Sequence, residues 1–188
     1  MLSKDKIKNL LSNPNSLTLC RISVIPVIVI LMLFPNRFFT FIAALLFSAA
    51  AITDYLDGYF ARLYGLESKF GRIMDPVADK LLSSSALIML SSHGWVPGWI
   101  VCIIIGREIA VTGLRNFVVE NREDIAASSL GKYKTGFQVA AIIPLLFHYP
   151  YFGVNLHVIG TVFLWAALVL TVWSGVDYFI KFKKHLKI

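Results

Sequence analysis

The sequence predicts an all-α membrane protein, with six transmembrane helices preceded by a short amphipathic helix on the membrane surface. Three observations predict it. Hydrophobic residues make up 57% of the 188, charged ones only 15%, and the mean hydropathy is +0.70; a soluble domain of this length does not have that balance. The apolar residues gather into six runs, about as many spans of ~20 residues as the length can hold. The basic residues, which give a net charge of +7, fall almost entirely at alternate breaks between those runs. In a soluble chain that charge would suggest nucleic acid. Here the positive-inside rule accounts for it, and no nucleic-acid partner is expected.

The elements follow in order. Residues 1–13 set Lys4, Lys6 and Lys8 against Leu2, Ile7, Leu10 and Leu11, the pattern of an interfacial helix. No cleavage site follows those lysines, so no secretory signal is expected. Asn13-Pro14-Asn15 then breaks the chain. A single six-helix domain is expected over 14–180, with apolar runs at about 17–34, 38–61, 73–91, 95–118, 135–149 and 157–180, and a basic tail at 181–188. Threading from an inner N-terminus places Arg62, Lys69, Arg72, Arg115, Arg122, Lys132, Lys134, Lys181, Lys183, Lys184 and Lys187 at the inner face, and only Arg37 at an outer break. Both termini are therefore expected inside. Trp95, Trp99, Tyr149 and Tyr151 read as an outer aromatic belt, and the tail lysines as an anchor on anionic lipid. Asp177 is expected to pair with a lysine, and Cys20 and Cys102 to be small core residues rather than a disulfide or metal pair.

Against this apolar background stand four carboxylates, Asp54, Asp57, Asp75 and Asp79. An ionised acid within a membrane span is expensive and marks a functional site. At 1.5 Å per residue, Asp54 and Asp79 lie roughly 12 Å in from the inner face, with Asp57 and Asp75 shallower. The i, i+3 and i, i+4 spacings put each pair on one side of its helix. Two adjacent antiparallel helices then bring all four together near the inner surface. Four such charges repel strongly at low dielectric. Two divalent cations would neutralise them, and oxygen ligands suit Mg²⁺, Mn²⁺ or Ca²⁺. The alternative is that some are protonated, or paired with Arg62, Arg72 or Lys80. Gly58 and Gly71 leave room beside the acids for a ligand, although either glycine alone also serves as a helix-packing contact. His93, His148 and His157 fall at the outer side and His185 in the tail, so an aspartate must take any proton. A two-metal centre with a spare carboxylate suits phosphoryl-type transfer. A cation transporter using the acids as an ion site is the competing class. The acids lie toward one face and no inverted repeat is visible, which disfavours it.

Residues 54–79 fit D-x2-D-G-x2-A-R-x8-G-x3-D-x3-D without departure, and in this the chain resembles the CDP-alcohol phosphotransferase family. The resemblance implies a six-helix, homodimeric membrane enzyme whose site opens to the cytosol, here the inner membrane of a bacterium. It implies that Asp54, Asp57 and Asp75 bind divalent metal, two ions of Mg²⁺ or Mn²⁺, and that Asp79 is the general base and also contacts metal. Gly58, Ala61, Arg62 and Gly71 would line the site for the CDP-lipid, Arg62 near its diphosphate. Three further stretches resemble the members that join CDP-diacylglycerol to sn-glycerol 3-phosphate: Pro14-Asn15-Ser16-Leu17-Thr18-Leu19-Cys20-Arg21, Gly106-Arg107-Glu108 through Gly113-Leu114-Arg115, and Gly131-Lys132-Tyr133-Lys134-Thr135-Gly136-Phe137-Gln138. Serine, an inositol phosphate or phosphatidylglycerol are the other acceptors the family implies.

Charge favours a phosphorylated acceptor. Arg107 falls mid-span, where an unpaired cation is costly. Arg115 lies two turns nearer the cytosol and Lys134 opens the fifth run, so together they are expected to hold a phosphate monoester beside the metals. Pairing of Arg107 with an aspartate, or with Glu108 of a neighbouring helix, is the alternative, since Glu108 is expected not to face Arg107 from its own helix. Asn15, Thr18 and Arg21 are expected to reach the nucleotide, although capping of the first helix explains Asn15 nearly as well.

Overall fold

The computed structural model describes the backbone of residues 14–64, 69–120, 130–150 and 153–185. Those residues form six helices and no strand: α1 (Pro14–Leu33), α2 (Arg37–Tyr64), α3 (Lys69–Ser92), α4 (Gly98–Glu120), α5 (Leu130–Phe147) and α6 (Leu156–His185). Each lies on one of the expected apolar runs. The interfacial helix expected over 1–13 and the end of the tail lie outside the described residues.

The helices overrun the runs at several ends. α2 continues to Tyr64 and α6 to His185, while α5 starts at Leu130. Hydropathy stops at the first charge, but lysine and arginine propagate a helix almost as well as leucine. The ends between them are set by local chemistry. Asn36 caps α2, its Oδ1 accepting from the N–H groups of Phe38 (3.0 Å) and Phe39 (2.9 Å). Asn155 caps α6 through the N–H of His157. α3 ends at Gly94, whose φ of 70° turns the chain so that the N–H of Trp95 reaches the carbonyl of Leu90. Within the helices, the hydroxyls of Ser23, Thr40, Ser48, Thr53, Thr112 and Thr161 each donate to the carbonyl four residues back. Hydroxyls satisfied in this way need no water.

The chain forms two compact units, dividing after Met89. In the first, α1 packs on α2. The stripe α1 buries carries Ile28 and Met32 at one end and Thr18 and Arg21 at the other, one face at helical spacing. α2 buries Thr40, Ala43, Ala44 and Phe47, and the same face continues to Asp54. α3 buries Ala78, Leu82, Ala86 and Leu87, and its face continues back to Asp75. Three apolar stripes thus each run into a polar end.

The second unit repeats the plan. α6 packs against both α5 and α4. α4 buries Ile100, Val101, Ile104 and Val111, α5 buries Ala141, Ile142, Leu145 and Leu146, and α6 buries Leu164, Ala167 and Leu168. Polar residues again continue the stripes, Lys134 and Gln138 on α5, Thr171 and Ser174 on α6. α5 and α6 approach most closely at Gly160, where an added Cβ would lie 2.6 Å from Leu145 Cγ and 2.9 Å from the Leu145 backbone nitrogen.

Much of the exterior is apolar. Ile30, Phe34, Phe38, Ile52, Ile109, Val162 and Trp173 are all more than half exposed. α2 over Arg37–Asp54 and α6 over Leu156–Lys183 are long and apolar enough to cross a bilayer. By the same measure the apolar parts of α1 and α5 are shorter. Charges inside α3 (Asp75, Asp79, Lys80) and α4 (Arg107, Glu108, Arg115) interrupt their hydropathy. Cys20 and Cys102 are free, as expected, but exposed rather than in the core. An apolar exterior accommodates a thiol as readily as an apolar interior. Trp99 is exposed, packing edge-on against Trp165, whereas Trp95 is half-buried and stacked on His148 at 3.7 Å; Tyr151 lies outside the described residues.

Gly160→Ala is expected to lower stability by about 1–3 kcal/mol, because the methyl group meets backbone that cannot rotate away. Gly113→Ala, with nothing within 4 Å of its Cβ, is expected to be neutral or slightly stabilising. Thermal unfolding of both variants in detergent checks the pair.

Candidate active site

Three helices meet at Arg21. It lies one turn beyond Thr18 on the buried stripe of α1, and its side chain is 4% exposed. Its Nη2 lies 2.6 Å from Asp54 Oδ1 on α2, and its Nη1 lies 4.0 Å from Asp75 Oδ1 on α3. The hydroxyl of Thr18 donates to that same Asp75 oxygen at 2.5 Å. The carboxylates are more open than the guanidinium, at 35% for Asp54 and 49% for Asp75. Asp79, one turn along α3 from Asp75, comes close enough for its charge to act on Asp54. Neither Arg21 Nε nor Nη1 has a hydrogen-bond partner, although both are buried. Two orphaned donors of a buried cation cost several kcal/mol between them unless something accepts from them.

Of the four expected aspartates, Asp54 and Asp75 thus approach the same guanidinium. Among the described residues, Arg21 is a counter-charge to Asp54 and Asp75. Arg62, Arg72, Asp57, Gly58, Ala61 and Asn15 lie on the helices, but their side chains are outside the described residues; Gly71 is buried in α3. The cation against the acids comes from α1, from the residue expected to reach the nucleotide. Thr18, expected at the nucleotide too, is the second partner of Asp75. A stripe reading of α1 finds both, since Thr18, Arg21, Ile28 and Met32 share one helical face.

The donor set fits a divalent cation of the Mg²⁺ or Mn²⁺ class. It offers only hard carboxylate oxygens, and a positively charged group already rests against two of them. Among the described residues, no three His, Cys, Asp or Glu side chains stand ready as a metal cage.

The second unit has its own charged centre. Lys134, 4% exposed on α5, donates to Glu108 on α4, whose side chain is 16% exposed. Arg107 donates through Nη2 to Ser174 Oγ on α6 at 2.9 Å, and Ser174 in turn donates to the carbonyl of Thr171. Its stem lies against Gly175, where a Cβ would stand 3.2 Å from Arg107 Cγ. The Nε of Arg107 and the amide nitrogen of Gln138 are buried without hydrogen-bond partners. Arg115 is exposed, and its charge reaches Arg107. Two of the three expected cations, Lys134 and Arg107, therefore lie against one carboxylate, Glu108. Its other oxygen is 4.0 Å from Arg107 Nη1, closer than sequence neighbours on one helix were expected to come. The long arginine stem bends across the helix surface to reach it. Asp177 pairs with Lys181 at 2.7 Å, as expected. His93 and His148 pack on Trp95 in this unit, and His157 lies edge-on to His148.

An all-helical fold with an aspartate cluster on a two-helix signature defines a class, and sequence comparison agrees. The chain belongs to the CDP-alcohol phosphatidyltransferase family, whose sequence profile matches residues 11–173. It is 41% identical over 186 residues to the CDP-diacylglycerol–glycerol-3-phosphate 3-phosphatidyltransferase of Bacillus subtilis (strain 168), covering 93% of this chain and 96% of that protein. The enzyme of the same name from Rickettsia felis is 40% identical over 173 residues, covering 92% and 96%. A probable phosphatidylglycerophosphate synthase of Mycobacterium tuberculosis (strain ATCC 25618 / H37Rv) is 43% identical over 167 residues, covering 87% of this chain and 78% of that protein.

Lys134 is buried and Glu108 is mostly so, so neutralising Glu108 removes the opposite charge from a buried ammonium. Glu108→Gln is expected to cost about 3–5 kcal/mol. Lys181→Gln, which breaks the exposed pair with Asp177, is expected to cost no more than about 0.5 kcal/mol. Midpoints of chemical unfolding for the two variants check the contrast.

Proposed function

We infer that this chain is a membrane phosphatidyltransferase that moves the phosphatidyl group of CDP-diacylglycerol to sn-glycerol 3-phosphate, releasing CMP. The observation that carries it is similarity along nearly the full length to enzymes named for that reaction, with the aspartate signature at 54–79 unbroken.

The residues divide the work as follows. Asp54, Asp57 and Asp75, with Asp79, would hold two divalent ions, Mg²⁺ or Mn²⁺. When bound, the metal neutralises the diphosphate and the charge that builds on the phosphoryl oxygens. Asp79 takes the proton of the acceptor hydroxyl. The acceptor oxygen then bonds to the phosphorus of the phosphatidyl group, the bond from that phosphorus to the CMP oxygen breaks, and CMP leaves with the electron pair. Gly58, Ala61, Arg62 and Gly71 line the CDP-lipid site, with Asn15 and Thr18. Arg107, Arg115 and Lys134 take the phosphate of the acceptor. Their charge supports this role: Lys134 and Arg107 against Glu108 leave a surplus of one, Arg115 beside Arg107 adds a second, and a phosphate monoester dianion would balance the two.

The setting is the cytoplasmic membrane of a bacterium, spanned six times, with both termini and the site on the cytosolic side. The exposed apolar residues support the bilayer, and the one-sided distribution of basic residues supports the orientation. The enzyme acts as a homodimer, built from one catalytic domain per chain; the family profile runs across both compact units.

Purified protein in detergent with CDP-diacylglycerol and Mg²⁺ is expected to release CMP only when glycerol 3-phosphate is present, and to stop on chelation. Under these conditions Asp79→Asn is expected to slow release at least ~100-fold. Release driven by another alcohol would keep the family and change the acceptor, whereas ion uptake into proteoliposomes with no CMP formed would replace the enzyme by a transporter. Arg115→Gln is expected to raise KM for glycerol 3-phosphate about tenfold while leaving that for the CDP-lipid within about twofold. Equal effects on both substrates would remove Arg115 from the acceptor site.

A further inference from the structure

Arg21 is a buried monovalent cation set against acids that, on the reading above, serve divalent ones. Its guanidinium engages Asp54 through a single nitrogen at 2.6 Å. The second terminal nitrogen stands 4.0 Å from Asp75, beyond hydrogen-bond range. Arg21 Nε and Nη1 are buried and unpartnered. This arrangement is poor for a permanent structural ion pair, in which a guanidinium normally satisfies a carboxylate bidentately and finds acceptors for its remaining donors. It is well suited to a cation that has two partners at different times. With no metal bound, the acids need positive charge to remain together, and Arg21 supplies it to Asp54 and Asp75. Once a divalent ion takes the oxygens of Asp54, the guanidinium loses its partner and carries three sets of idle donors in a dry site. An oxyanion of a nucleoside diphosphate would accept from those donors.

We propose that Arg21 is an exchangeable counter-ion: it occupies Asp54 in the metal-free protein, yields that carboxylate to the divalent metal, and then binds the diphosphate of the donor lipid. The proposal rests on Asp54 being a metal ligand. It makes Arg21 a competitor of the metal and a partner of the substrate, so the two affinities move in opposite directions when it is removed.

The test measures Mn²⁺ binding to the full-length protein in detergent without substrate, by electron paramagnetic resonance of the free ion, and then CDP binding at saturating Mn²⁺. Arg21→Met is expected to bind Mn²⁺ about tenfold more tightly than the unsubstituted protein, and CDP at least tenfold more weakly. Arg21→Lys keeps the charge but loses the fork of donors. It is expected to hold Mn²⁺ affinity within about threefold while still losing CDP affinity. Weaker Mn²⁺ binding in Arg21→Met, or unchanged CDP binding in both variants, overturns the proposal. Should the methionine variant fail to fold, the unsubstituted protein still decides. The Nε–H resonance of Arg21 in ¹⁵N-arginine-labelled protein, assigned by its loss in Arg21→Lys, is expected to shift on adding Mg²⁺ and again on adding CDP, and no shift with Mg²⁺ overturns exchange. Asp54→Asn separates the two readings. If Mn²⁺ binds it as well as it binds the unsubstituted protein, Asp54 is not a metal ligand and the underlying assignment has failed, whatever Arg21 does.

Discussion

The ion pair between Arg21 and Asp54 organises the first half of the molecule. A guanidinium that is almost fully buried has to be compensated, and the compensation draws in acids from two further helices. The apolar stripes of α1, α2 and α3 are the means by which it is achieved. Packing Ile28 and Met32 together with Phe47 and the alanines of α2 in the interior fixes the rotation of each helix, and the polar residue that continues each stripe then has one direction to face. Hydrophobic burial sets the axial rotation, and electrostatics acts only at the end of the stripe. The second half uses the same device with different charges, the stripes of α4 and α5 bringing Glu108 to Lys134.

This division explains which parts of the fold were legible in the sequence. Six runs of apolar residues were visible because each helix is apolar for most of its length, and all six became helices. Their ends were misplaced where a charge continued a helix rather than ending it, as at Tyr64 and Leu130. The asparagine cap at residue 36 lay at an expected break. The spacing of Asp54, Asp75 and Asp79 was equally legible, because carboxylates in apolar surroundings are conspicuous.

The partners of those acids were harder to see. Arg21 is separated from Asp54 by a whole helical hairpin, and nothing in local spacing links them. The link follows from helix rotation, which depends on the sum of many small apolar contacts. The pairing of Lys134 with Glu108 was hidden for the same reason, since the two belong to different helices 26 positions apart. The exposure of Cys20 and Cys102 shows a further limit. When the outside of a protein is as apolar as its inside, hydrophobicity no longer tells a core residue from a surface one, and only the packed faces do.

That each half neutralises its own buried cation has a bearing on biosynthesis. A chain entering the bilayer during translation emerges N-terminus first. Arg21 finds Asp54 as soon as the first hairpin is inserted, while residues beyond Met89 are still being made. Lys134 meets Glu108 within one further hairpin. Insertion therefore brings Arg21 and then Lys134 to a carboxylate within the hairpin that carries each of them, whereas Arg107 gains Ser174 only with the last helix.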